Sequence, residues 1–313
     1  MRKRRKISVI SVATITLFLL SGCGSPSAST VSISSAEAVS ISTSEAPQVT
    51  RVVALANGSA EIIAALGFTS ILIGRDIAST DKELRDIPIV TSGHQVVAEK
   101  IIALDPQVVI IDKSTGPAAA LAALKSAGIA VVQTSEAWTL TDIATKVHQV
   151  AAAIGAPKSG AALNRAMNQK FEAAVEAGAK KRIAFLYLRG GSAIYLIGGK
   201  ESGADSLISA IGAVDVGAQK FSNPFTAMTS ESILALNPEI ILVMSKGLES
   251  VGGVEGLLSL PGIAQTDAGV NKRVIAVDDS LLLSFGPRTP NLLNRLSAAV
   301  AQVSPWSVNA SWR

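Results

Sequence analysis

The sequence predicts an exported α/β protein whose two lobes are joined by one long α-helix. Three observations point there: strands alternate with helices through the folded part, one segment recurs almost verbatim in the second half, and a secretory leader comes first. Strands that alternate with helices give a parallel or mixed sheet with helices on its faces. The recurrence says that this scheme is built twice.

The leader comes first in the chain. Arg2, Lys3, Arg4, Arg5 and Lys6 precede an apolar run from Ile7 to Leu20, the charged and hydrophobic regions of a signal peptide. The run has 14 residues, short of the roughly 20 that a helix needs to cross a hydrocarbon core. Leu20-Ser21-Gly22-Cys23 follows at once and resembles the bacterial lipobox. That resemblance implies removal of residues 1–22, lipidation of Cys23, and attachment to the outer face of the cell membrane by the lipid anchor alone. Cys23 is the only cysteine, so an internal disulfide is excluded. The net charge of +4 comes from the leader; without it 23 basic residues face 24 acidic ones, and no basic field for nucleic acid remains.

Residues 23–48 are rich in Ser, Thr and Ala and read as a lipid-anchored, disordered tether. The first lobe is expected over 49–156. Arg51 to Leu55 is a β-branched run, and Ser59 to Gly67 has a Ser cap, helical periodicity and a terminal Gly, hence strand then helix. The alternation continues with strands at Ile71–Ile73 and Ile87–Val90, a helix near Ala98–Leu104, a strand at Val108–Ile111, a helix near Ala118–Ala127 and a strand at Ile129–Gln133. Residues 157–179 read as the interlobe helix, with Pro157 at its first position and Gly178 near its end. The second lobe is expected over 180–313. Glu99-Lys100-Ile101-Ile102-Ala103-Leu104-Asp105-Pro106 returns as Glu231-Ser232-Ile233-Leu234-Ala235-Leu236-Asn237-Pro238, and Arg51-Val52-Val53 finds its counterpart in Arg182-Ile183-Ala184.

Lipobox, duplicated α/β scheme, bridging helix and the repeated Glu-x-Ile-x-Ala-Leu-x-Pro together resemble the class III periplasmic-binding-protein family, which serves importers of haem, siderophores and cobalamin. The resemblance implies two Rossmann-like lobes. Thr91-Ser92-Gly93-His94, Phe185-Leu186-Tyr187-Leu188-Arg189-Gly190, the stretch from Lys200 to Leu207, Met244-Ser245-Lys246-Gly247 and Gly286-Pro287-Arg288-Thr289 are similar to the haemin-binding, HmuT-like lipoproteins of ABC importers. The ligand this implies is ferric haem, held by His94 of the first lobe and Tyr187 of the second. Arg189 would then donate a hydrogen bond to the Tyr187 oxygen, and Met244 would pack on the porphyrin. Glu99 and Glu231 would dock a permease dimer served by its ATPase, with Glu61 a weaker candidate in the first lobe. A monomer is expected.

The residues can also be weighed without the family. Ligands of open α/β sheets gather outside the carboxyl ends of strands, and His94, Tyr187, Arg189 and Met244 all follow or end predicted strands. Tyr187 and Arg189 are two apart and share one side of a strand; a guanidinium beside a phenol favours phenolate, a donor that suits ferric iron, with imidazole on the other face. The plainer alternatives are a turn residue for His94, core packing for Tyr187 and core filling for Met244. Tyr195 is the rival tyrosine but lacks an Arg two positions on, and His148 sits in an apolar helical pattern as a structural residue. Glu99 and Glu231 also suit the first turn of a helix electrostatically. Arg288 is a candidate for a haem propionate, or a surface Arg in a Pro-bounded turn.

A ferric siderophore or cobalamin is the alternative cargo, although twelve aromatic residues are few for a siderophore site. Two histidines and one lipidated cysteine are a poor ligand supply for a bare-metal binder. No nucleophile elbow, His-Glu-x-x-His or phosphate loop suggests an enzyme.

Overall fold

The computed structural model describes residues 30–93, 95–173 and 180–303; the expected signal peptide and Cys23 lie outside them. Among the described residues no helix is long and apolar enough to cross a membrane.

Among the described residues thirteen strands follow in chain order: β1 Thr30–Ile33, β2 Val52–Ala54, β3 Leu72–Arg75, β4 Thr91–Ser92, β5 Gln95–Val96, β6 Val108–Ile111, β7 Ala130–Gln133, β8 Arg182–Arg189, β9 Ile194–Gly198, β10 Val214–Asp215, β11 Phe225–Ala227, β12 Ile240–Met244 and β13 Val274–Val277. The N-terminal lobe holds a four-stranded parallel sheet in the order β3-β2-β6-β7. The C-terminal lobe holds a seven-stranded mixed sheet, β1-β13-β12-β8-β9-β11 with β10 beside β8. Val-Val-Ile-Ile of β6 and Ile-Ile-Leu-Val-Met of β12 are buried throughout, as strands covered on both faces require. One continuous apolar cluster runs through both lobes, joining Ile62, Val108 and Val147 to Phe185, Leu242 and Ile275.

The expected strand at Ile87–Val90 is reduced to a single bridge between Arg75 and Ile89, and the neighbouring pairing is a separate short hairpin of β4 with β5. The interlobe helix runs Pro157–Glu172 with Pro in its first turn; positions 174–179 lie outside the described residues.

The duplicated segment forms matching structures. Each copy is a short helix, Ala98–Ala103 and Ser230–Leu236, followed by a left-handed residue before proline, Asp105 at φ 48° and Asn237 at φ 38°. An arginine at the start of the paired strand closes each helix end: Arg51 donates to the carbonyls of Leu104 and Asp105, and Arg182 to that of Asn237. These bonds satisfy carbonyls that a helix C-terminus leaves open.

The greatest departure from expectation is at residues 30–48, which form an ordered strap and not a disordered tether. β1 adds in parallel to β13 at the edge of the C-terminal sheet. The chain then passes Pro287 of the same lobe, to whose O Val39 N donates at 2.9 Å, and crosses to the other lobe, where Ile41 N donates to Ala65 O at 3.0 Å and Gln48 N to Ile154 O at 2.9 Å. Glu45 accepts from Ser159 N and Oγ at 2.6 and 2.8 Å. Ile33, Ala36 and Val39 are buried, enough apolar anchorage to hold a segment whose Ser-rich composition disguises it. Gly155 makes room for it: a Cβ there would stand 2.5 Å from Gln48, and φ is +75°.

Candidate functional site

A cavity of about 560 Å³ opens between the lobes, lined by the carboxyl ends of strands from both. This is where ligands collect in open α/β sheets. From the N-terminal lobe come Leu55 and Asn57 after β2, Asp76 after β3, and Asp112 after β6; from the other lobe come Arg189 ending β8, Met244 ending β12, and Asp279 after β13.

Burial drives the Asp76 carboxyl above the usual carboxylate range, against hydrogen bonds from the Ser79 hydroxyl and Ala78 N. Asp112 accepts from Asn57 N at 2.8 Å, Ser114 N at 3.0 Å, Ser114 Oγ at 2.7 Å and Thr115 Oγ1 at 2.9 Å. It thereby organises the N-terminal wall.

Tyr187 is half-buried, its ring edge-on to Phe225 at 5.6 Å. The Arg189 guanidinium, which lines the cavity, lies with Cζ 4.5 Å from the Tyr187 ring centroid, so the two side chains share a face as the strand period requires. Arg189 Nη1 donates to Leu188 O at 2.9 Å, and Nη2 stands 3.7 Å from Asp279 Oδ2. The guanidinium therefore rests over the ring face of Tyr187, where the expected hydrogen bond would have put it at the phenol oxygen. Met244 is buried in the shared core while also lining the cavity. His94 lies outside the described residues; its neighbour Gly93 lines the cavity. Tyr195 faces the other side of the C-terminal sheet, packed on a separate core cluster. His148 is exposed on the helix Asp142–Ala153.

Arg288 is corrected by the structure. It is 5% exposed, is absent from the cavity lining, and is paired with Glu61, with Asp81 Oδ2 3.5 Å from its Nε. Glu61 is itself 4% exposed, so it is also out of reach of a docking partner. Burial raises the Glu61 carboxyl above its ordinary range, opposed by the Arg288 charge. Beside this pair Lys146 is buried, its Nζ donating to Asn57 O at 3.0 Å and Ser284 O at 2.6 Å, one carbonyl from each lobe. Burial pushes the Lys146 ammonium down to about 8. Gly58 completes this seam: at φ +74° a Cβ would stand 2.8 Å from Ser284 O. Glu99 and Glu231 are exposed in the first turns of the two repeat helices.

Sequence reasoning passed over Asp76, Asp112, Asp279 and Lys246. A signal existed for the three acids, since each follows a buried strand within two residues, the rim on which the reasoning placed His94 and Tyr187.

A two-lobed fold with its cavity between opposed strand ends defines a binding protein of the periplasmic type. A family model described as periplasmic binding protein matches residues 52–281, and the chain belongs to that family. Solved structures similar to it include the periplasmic heme-binding protein RhuT from Roseiflexus sp. RS-1 in apo form, at 34% identity and TM-score 0.76 over 82% of this chain and 99% of that one. The heme binding protein HmuT is 31% identical, with TM-score 0.77 over 88% of this chain and 96% of that one. An uncharacterized ABC transporter substrate-binding lipoprotein of Bacillus subtilis strain 168, YvrC, is 23% identical over 95% of this chain and 98% of its own length.

Proposed function

We propose that this protein captures ferric haem outside the cytoplasm and hands it to the permease dimer of an ABC importer. The iron is held by His94 from one lobe and Tyr187 from the other. The observation that carries this reading is the stacked Tyr187–Arg189 pair at the end of β8, where Arg189 lines the cavity and Tyr187 packs just behind it, outside the lining, in a chain similar over most of its length to haem-binding proteins. A tyrosine oxygen is a donor that suits ferric iron, and a neutral imidazole completes the opposite face. Met244 at the cavity wall offers a polarizable surface to the porphyrin. Lipidation of Cys23 keeps the protein at the outer face of the cell membrane. Glu99 and Glu231, exposed at matching places on the two lobes, provide the carboxylates for permease docking.

The test is a haemin titration of the full-length protein, purified in detergent, followed by visible spectroscopy. One haem per chain and a six-coordinate ferric spectrum are expected, with that spectrum lost in both His94→Ala and Tyr187→Ala. Retention of the spectrum in both variants rejects the ligand pair. Binding of cobalamin or a ferric siderophore in place of haemin would replace the cargo.

A further inference from the structure

The two walls of the cavity carry opposite charge, and we infer that this asymmetry orients an acidic ligand, with Lys246 as the residue that receives its carboxylate. The identity of the ligand rests on the haem reading above; the asymmetry is in the chain itself. Among the described residues, the N-terminal wall contributes two acids, Asp76 and Asp112, and no lysine or arginine. Both carboxylates are turned to donors of their own loops. A carboxylate has no proton to offer another carboxylate and repels it.

The C-terminal wall contributes Arg189 and Lys246 with the single acid Asp279. Arg189 is already engaged by Leu188 O, Asp279 and the Tyr187 ring. Lys246 differs. Its backbone N donates to Asp279 Oδ1 at 3.0 Å, which fixes its Cα at the cavity rim. Its side chain is exposed, and among the described residues no acid pairs with its ammonium. Arg288, the cation that the sequence suggested for this task, is closed off by Glu61. Among the described residues Lys246 is thus the cation of the cavity with donors to spare, and a porphyrin gripped from both faces turns its propionate edge toward it.

The experiment compares haemin with its dimethyl ester, which keeps the iron and ring but lacks both carboxylates. Binding is measured on the full-length protein in detergent for wild type, Lys246→Ala, Lys246→Glu and the control Lys113→Ala, an exposed lysine outside the cavity lining. Haemin should bind wild type and Lys113→Ala more tightly than the diester. Lys246→Ala should lose about five- to tenfold in haemin affinity, as for one partly exposed charge-assisted hydrogen bond, and Lys246→Glu more, while diester affinity stays unchanged in both. Equal haemin affinity in wild type and Lys246→Ala overturns the assignment while leaving the haem reading intact, and so does an equal loss for both porphyrins. A wild type that takes up neither porphyrin overturns both.

Discussion

Two arginines of the C-terminal lobe each face an acid, and the contrast between them separates structure from function in this molecule. Arg288 and Glu61 meet across the lobes with side chains only 6% and 3% exposed. Arg189 and Asp279 stand 3.7 Å apart with side chains 37% and 18% exposed, at the edge of the cavity. A buried pair is locked, because removing either partner strands a charge in low dielectric. A loosely paired, partly solvated arginine contributes little to the fold, so the place of Arg189 against the Tyr187 ring is a matter of the site and not of stability.

The contrast can be broken most forcefully at Arg288. Arg288→Ala leaves Glu61 buried beside Asp81 without its counter-charge and should cost about 3–5 kcal/mol in urea unfolding; a loss below 1 kcal/mol would place Arg288 in the same class as Arg189. Lys146 sharpens the comparison through pH. Its folded-state value of about 8 lies below its ordinary 10.5, so between these values the unfolded chain binds the extra proton and stability rises with pH. Wild type should therefore gain about 3 kcal/mol from pH 8 to 10.5 relative to Lys146→Met, in unfolding midpoints taken across that window. The smallest effect belongs to Arg189→Ala, at about 0–1 kcal/mol in stability, while its haemin spectrum should change clearly from wild type.

How much of this was legible in the sequence varies by residue. The duplicated Glu-x-Ile-x-Ala-Leu-x-Pro was readable because it is local: a helix, a left-handed Asp105 or Asn237, then proline. The same-face pairing of Tyr187 with Arg189 was readable from strand period. The engagement of Arg288 was not, because Glu61 lies 227 positions away and a Pro-bounded loop gives no hint of burial. The strap was hidden for a different reason. Val31, Ile33, Ala36, Val39 and Ile41 are spaced among serines and threonines, and their anchorage depends on a sheet edge supplied by β13, some 240 residues on. The resting place of Arg189 is set by Asp279, a partner 90 positions further along the chain.

The strap also bears on where the protein can be. Seven peptide links separate Cys23 from Thr30, so on the proposed lipidation β1 stands within roughly 25 Å of the acylated residue, however the intervening chain is arranged. A leash reaching to Val49 would have allowed about 90 Å. The accessible volume shrinks about fiftyfold, and the effective concentration of the lobes at the bilayer surface, beside any importer embedded there, rises accordingly.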